Sequence, residues 1–310
     1  MTASSQSSVT PIQSSSEPPS VIVPDMDLFA KRALRFEQLA VGHSLGDWLG
    51  FLAVLTRAQD QALQTLPVLP MPGSVEREQA HAFRMPLLPA SSWPRDPAWH
   101  GVLHQIMEAV MPAAPQLARA DLTRLSTLAP QQLEVLAERV MQADLAGEDD
   151  ALLPYVGAAL QVVWTALATR LGGAIAAIDV PGVCPCCGYL PQASVVKTVN
   201  AGEQSVANLR YLHCALCNTE WNLVRVKCAT CDANDSISYR QLEGQGVTQP
   251  GAVRAETCER CKTYLKIIYQ EQGGVDPVAD DLATLALDIL VDEAGYARAG
   301  PNLLLVPGRG

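Results

Sequence analysis

At 310 residues the chain is long enough for about two ordinary domains, and with 48% apolar and 17% charged residues it can bury a core. A wholly disordered chain is thereby excluded. The formal net charge of −10 disfavours general binding to nucleic-acid phosphates or to anionic membranes.

The opening MTASSQSSVTPIQSSSEPPS has no basic start and no apolar core, so it does not read as an export signal. Its Ser, Thr and Pro content predicts a flexible tail over residues 1–24. Residues 25–180 contain no cysteine and carry helical periodicity, which predicts a helical domain. Asp27 is placed to cap a first helix through FAKRALRFEQLAVG. The run from Ser44 to Leu66 predicts a second, stopped by Pro67. The Pro-rich stretch 67–97 predicts a long connection or short helices. Periodicity returns in HGVLHQIMEAVMPAAPQLARA and in APQQLEVLAERVMQADLAG. The segment 152–178 is apolar nearly all round; Pro154, Arg170 and three glycines interrupt it. It reads as a central core helix and not as a membrane span.

From Val180 the texture changes to Cys, Gly, Thr and β-branched residues, with SVVKTV, WNLVRVK, SISYRQL and YLKIIY predicting short strands. After Gly273-Gly274 a helical pattern resumes in DPVADDLATLALDILVDEAGYA and a Pro/Gly-rich tail follows. The expected architecture is therefore multidomain α+β. A flexible tail (1–24) precedes a helical domain (25–180), a duplicated metal-binding domain of rubredoxin- or zinc-ribbon-like β units (181–272), and a C-terminal helix with its tail (273–310).

All nine cysteines lie between Cys184 and Cys261. Eight form four Cys-x-x-Cys pairs: Cys184/Cys187, Cys214/Cys217, Cys228/Cys231 and Cys258/Cys261, separated by 26, 10 and 26 residues. An offset of 44 residues superimposes the first two pairs on the last two, and also Arg210 on Arg254 and Thr219 on Thr263. Two tandem units, each with two knuckles, explain this repeat. Two cysteines three positions apart can point both sulfurs at one spot, and two such knuckles complete a tetrahedral S4 site at about 2.3 Å per bond. The repeat favours 184/187 with 214/217 and 228/231 with 258/261; a crossed pairing stays open. Zinc and mononuclear iron both suit four thiolates. Such a site has no open position for water or substrate, which argues against hydrolytic catalysis. A thioredoxin-like role fits poorly, since no pair opens a helix within a βαβ pattern.

Other residues carry less. Cys186 reads as a spectator thiol between ligands, His213 as a support for its knuckle, and Trp221 as a cover for the first site or as core. His100 and His104, four apart, lack a carboxylate pattern beside them. No phosphate loop, nucleophile elbow or triad is present in the sequence, so no enzymatic activity is expected. Unexported thiols in this number point to the cytoplasm.

The segments CPCCGYLP (184–191), RYLHCALCNTEW (210–221), VKCATC (226–231), ETCERCKTYLKIIY (256–269) and DDLATLALDILVDEAGYARAGPN (280–302) resemble FdhE, the accessory protein family of formate dehydrogenase. RFEQLAVGHSLGDWLGFLAVLTRAQ (35–59) is similar to that family's N-terminal helical region. The resemblance covers most of the chain after the tail, with one departure: Cys186 stands where the family pattern usually has another residue. It implies a cytoplasmic maturation factor that binds the molybdenum- and selenocysteine-containing catalytic subunit of respiratory formate dehydrogenase. It also implies two mononuclear iron sites with Cys184, Cys187, Cys214, Cys217, Cys228, Cys231, Cys258 and Cys261 as ligands. Two other classes compete: a rubredoxin-type electron carrier, and a zinc-stapled structural or nucleic-acid-binding ribbon. The large helical part argues against the first. Against nucleic-acid binding stands the near charge balance of 181–272, with nine Lys/Arg and eight Asp/Glu.

Overall fold

The computed structural model describes residues 17–202, 204–243 and 251–305. Of the expected tail, residues 1–16 lie outside that range. From residue 17 the chain runs along the edge of a sheet, where strand β1 (Val21–Ile22) pairs with β4 (Glu220–Asn222).

Helix α1 (Leu28–Ala40) buries Phe29, Ala33 and Phe36, and with them Arg32 and Arg35. Asp27 stands at its N-cap position but makes no side-chain cap bond; its carboxylate pairs with Lys31 at 2.8 Å instead. Helix α2 (Gly46–Thr65) packs on α1, and its apolar stripe ends just before Pro67. The connection that follows carries one short helix, α3 (Ser74–Ala82), with no buried residue. The next periodic run is split, because Pro112 and Pro115 cannot continue a helix. Helix α4 (Ala98–Val110) ends in a 3₁₀ turn, and α5 (Gln116–Ser126) begins after Pro115. Helix α6 (Pro130–Met141) starts on a proline, whose missing N–H is harmless at a first turn.

At the centre lies α7 (Leu153–Leu171), flanked by α2, α4 and α6. The helical segment around it is long and apolar enough to cross a membrane, yet 83% of its apolar window is buried by its neighbours. The core-helix expectation therefore matches the packing. Two polar residues on this helix, Gln161 and Thr165, are fully buried.

The β region forms a single continuous sheet. In the first unit, β2 (Pro191–Ala201) pairs antiparallel with β3 (Gln204–Cys214), and β3 with β4. In the second unit, β5 (Ile237–Arg240) pairs with β6 (Val253–Cys258), and β6 with β7 (Thr263–Tyr269). Each unit thus has the same three-strand order, shifted along the chain. The two join where β2 runs parallel to β7, with Ala193 opposite Lys266 and Val196 opposite Tyr269. The full order is β1-β4-β3-β2-β7-β6-β5. Arg210 ties this seam: its guanidinium donates to Ser194 Oγ at 3.0–3.1 Å and to Glu256 Oε1 at 2.8 Å, both buried. WNLVRVK contributes only Trp221 and Asn222 to β4 before the chain turns away.

The single C-terminal helix expected from the periodicity is two: α8 (Pro277–Leu282) and α9 (Leu285–Glu293). Lys266, on β7 and 1% exposed, meets the chain at this break, donating its Nζ to the carbonyls of Asp281 (2.8 Å) and Thr284 (3.0 Å). A last strand, β8 (Ala297–Arg298), pairs with β7. The C-terminal elements also grip α1: Arg32 reaches Asp276 at 3.0 Å and Arg35 reaches Asp280 at 2.5 Å.

Candidate metal centres

Each knuckle is a turn whose residue after the second cysteine is left-handed: Gly188 (φ 72°), Asn218 (φ 58°), Asp232 (φ 60°) and Lys262 (φ 56°). These positions are again 44 apart in pairs. The repeat in sequence is therefore a repeat in backbone conformation, and it costs strain at the three non-glycine sites. The first knuckle of each unit closes in the same way. Cys184 N donates to Tyr189 O (3.0 Å) and Cys228 N to Ala233 O (2.8 Å). The turns aim backbone donors at sulfur: Leu216 N and Cys217 N lie 3.4 Å from Cys214 Sγ, and Thr230 N lies 3.4 Å from Cys228 Sγ.

Two groups of four thiols result, Cys184/Cys187/Cys214/Cys217 and Cys228/Cys231/Cys258/Cys261, with all sulfurs of a group within 4.8 Å of one another. The pairing is the one the repeat favours, and the crossed alternative is not seen. Closest contacts match between units: Cys184–Cys217 3.5 Å and Cys187–Cys214 3.4 Å in the first, Cys228–Cys261 3.6 Å and Cys231–Cys258 3.7 Å in the second. A tetrahedron with bonds of about 2.3 Å has sulfur–sulfur edges of about 3.8 Å. These four edges are within a few tenths of an ångström of that, and the remaining ones stay within 4.8 Å, a spacing that suits a thiophilic ion in either group. Thr219 and Thr263, the repeat partners, place hydroxyls 3.2 and 3.1 Å from Cys217 and Cys261 sulfurs.

Thiol ionisation differs within each group. Burial pushes the Cys184 and Cys187 thiols well up. At Cys217 burial pushes the same way but is outweighed by hydrogen bonds from Cys184, Cys186, Cys187 and Cys214, which hold it well below the ordinary thiol range. At Cys258 burial is overcome by the backbone N–H of Cys261 and the Ser236 hydroxyl, and the thiol is brought down to about 6. The thiolate is the form that binds metal.

The first group is set inside the main apolar core, where its four cysteines are at most 1% exposed. Elements of the helical region reach both its knuckles. Leu88 N and Ala90 N donate to the carbonyls of Cys186 and Cys187, each at 2.8 Å. Gln161 Nε2 donates to Ala215 O at 2.8 Å. Asn218 Nδ2 donates to Thr165 Oγ1 at 2.9 Å, and Asn218 Oδ1 accepts from Arg32 Nη2 at 2.9 Å. His213 supports the same turn through Asn218 Oδ1 (3.0 Å) and Glu220 Oε1 (3.4 Å). Trp221 is in the core, its Nε1 bonded to Pro181 O at 2.7 Å. Sequence reading missed Gln161, Thr165, Asn218 and Arg32 as partners of this site. Gln161 and Thr165 carry a signal, two polar side chains one turn apart in the otherwise apolar stretch 156–168.

The second group belongs to a small satellite cluster of Cys228, Ala233 and Cys258, fringed by the part-exposed Cys231, Ile237 and Cys261. Cys186 is buried beside the first group without belonging to it. His100 and His104 do not converge: His100 meets Glu134 at 3.0 Å and His104 meets Glu108 at 3.5 Å on the surface. Among the described residues, the two cysteine groups alone bring three or more ligand atoms together.

The chain is similar to known proteins along most of its length. Three family descriptions match in succession: FdhE, N-terminal, over residues 18–178; FdhE, central domain, over 183–225; and FdhE, C-terminal domain, over 226–305. The boundary between the last two falls in the ten-residue gap that separates the repeats. A protein FdhE homolog of Edwardsiella ictaluri is 40% identical over 298 residues, spanning 93% of this chain and 92% of its own length. One from Serratia proteamaculans is 37% identical over 294 residues, spanning 94% and 92%. The crystal structure of the FdhE protein from Pseudomonas aeruginosa superimposes with a TM-score of 0.82 at 36% identity, covering 94% of this chain and all of that one.

Proposed function

The chain belongs to the FdhE family, and from that membership we propose that it is a formate dehydrogenase accessory protein. In this reading it acts in the cytoplasm, binds the catalytic subunit of respiratory formate dehydrogenase, and supports its activation without catalysing a reaction itself. The observation that carries the chemical part is the pair of four-thiol groups with near-tetrahedral sulfur spacing. We propose Cys184, Cys187, Cys214 and Cys217 as ligands of one ion, and Cys228, Cys231, Cys258 and Cys261 as ligands of the other. Mononuclear iron is the ion favoured by the family resemblance, and zinc is the alternative the same donors accept. Bound iron would supply one-electron chemistry, and either ion would staple the β units.

The residues around the groups do the rest. Backbone N–H groups and the Thr219 and Thr263 hydroxyls meet the sulfurs, and four protein donors per site would fill the shell of a bound ion. Such a closed shell supports a binding and scaffolding role over hydrolysis.

Anaerobic purification from iron- and zinc-replete cells, with metal analysis and a visible spectrum, tests the ligand assignment. Two ions per chain are expected, with thiolate-to-iron bands if iron is native and no colour if zinc is. Co-purification of tagged chain with the formate dehydrogenase catalytic subunit tests the partner. Loss of that subunit from the eluate at low salt and physiological protein concentration would refute it.

A further inference from the structure

We infer that the two centres are kinetically distinct: the first is a permanent keystone of the fold, and the second is the exchangeable centre, through which a thiophilic metal ion enters and leaves the folded protein. The inference rests on the eight-cysteine ligand set proposed above.

The donor atoms of the two groups are the same, so intrinsic affinity does not separate them. Access and anchoring do. At the first centre all four cysteines are at most 1% exposed, and they share one apolar cluster with α2, α4 and α7. Its knuckles are pinned from the helical region by Leu88 N, Ala90 N, Gln161 and Thr165. A chelator or a second ligand can reach that ion only after the helical part separates from the sheet. Such an opening lies near the global unfolding limit of the stability scale.

At the second centre Cys231 and Cys261 are part-exposed. The knuckles are held within their own ribbon by Cys228 N to Ala233 O (2.8 Å) and Glu259 N to Ser236 O (2.9 Å), and from the adjoining β8 by Ala297 N to Lys262 O (2.9 Å). An exposed contact between the Thr263 and Thr230 hydroxyls (3.1 Å) joins the two turns at the surface. An incoming ligand can therefore displace Cys231 or Cys261 sulfur without any part of the main core opening. Exchange at this centre proceeds by local fluctuation, which costs far less than global opening.

The test is a metal-release measurement on the full chain loaded with two equivalents of zinc under anaerobic, reducing conditions. The loaded chain is challenged with pyridylazoresorcinol, and the total is then fixed by complete denaturation. One equivalent is expected to leave rapidly and the other at least about 100-fold more slowly. Cys261→Ser should remove the fast phase and keep the slow one. On the unsubstituted loaded chain, brief iodoacetamide treatment with peptide mapping should mark Cys231 and Cys261 before Cys184 and Cys187, a readout that does not depend on how the variant folds. Two equivalents leaving at one rate, or alkylation of Cys184 and Cys187 first, would overturn the inference alone. Fewer than two equivalents after denaturation would refute the ligand set as well.

Discussion

Replacing Arg32 by Met should destabilise the metal-loaded protein by about 3 kcal/mol, and the structure shows where that figure arises. The side chain is fully buried. Its Nε donates to both carboxylate oxygens of Asp276, at 3.0 and 3.1 Å, and its Nη2 to Asn218 at 2.9 Å. Met fills much of the volume but leaves a buried carboxylate without its cation, a loss of about 3–5 kcal/mol in comparable settings. Two features place the value at the low end. Asp276 keeps the N–H groups of Val278 and Ala279 at 3.0 and 2.8 Å, and Arg32 Nη1 has no hydrogen-bond partner among the described residues. Urea unfolding followed by circular dichroism gives the value, and the paired variants Arg32→Met and Asp276→Asn close a double-mutant cycle. Because neutralising Asp276 removes the stranded charge, the double variant should cost less than the sum of the singles by about 1.5 kcal/mol or more. An Arg32→Met loss below about 1 kcal/mol, the centre of ordinary substitutions, would show that the pair does not hold α1 to α8.

Gln161→Leu should cost about 1–3 kcal/mol by leaving Ala215 O unpaired beside the first centre, and the urea midpoint reads it; an unchanged midpoint refutes the anchor. Gly300→Ala would set a Cβ 1.9 Å from Pro191 O, a backbone atom with no room to yield. A loss of about 1–3 kcal/mol is expected, with new proteolytic cleavage beyond residue 300, and wild-type resistance would contradict it. Glu134 is held below the ordinary glutamate value: burial pushes its carboxyl up, but hydrogen bonds from Arg95 and Trp99 outweigh it. Its contribution is therefore present above the unfolded value of about 4.3 and lost as pH falls through the lower folded one. Glu134→Gln should be less stable than the parent at pH 7, with the gap closing on acidification; a gap that widens below pH 5 would refute the sign.

The eight cysteines and their grouping are legible because a 44-residue repeat is a local regularity that one chain displays about itself. The core position of α7 is legible for a similar reason, since Leu, Val, Ala and Trp on every face leave no side for water. What escapes is non-local. Nothing in SVVKTV or YLKIIY announces that they lie side by side in parallel, because both read as generic β-branched strands and their register is set across 70 residues of chain. Arg32, Arg35, Arg210 and Lys266 carry the composition of a solvated surface, yet all four are buried; their counter-charges are distant in sequence, as with Arg35 and Asp280, 245 residues apart. The break between α8 and α9 is likewise met by a residue of another element, Lys266 on β7.

The grip of α1 on α8 has a consequence for how the protein is made. A ribosome adding about 5–20 residues per second takes roughly 12–50 s to travel the 245 residues from Arg35 to Asp280. Throughout that interval the emerging helical region holds two guanidiniums at a face meant to be dry, with no carboxylates yet synthesised to meet them. The Arg32–Asp276 and Arg35–Asp280 pairs can therefore form only after both cysteine ribbons have been synthesised. Closure waits for the last tenth of the chain.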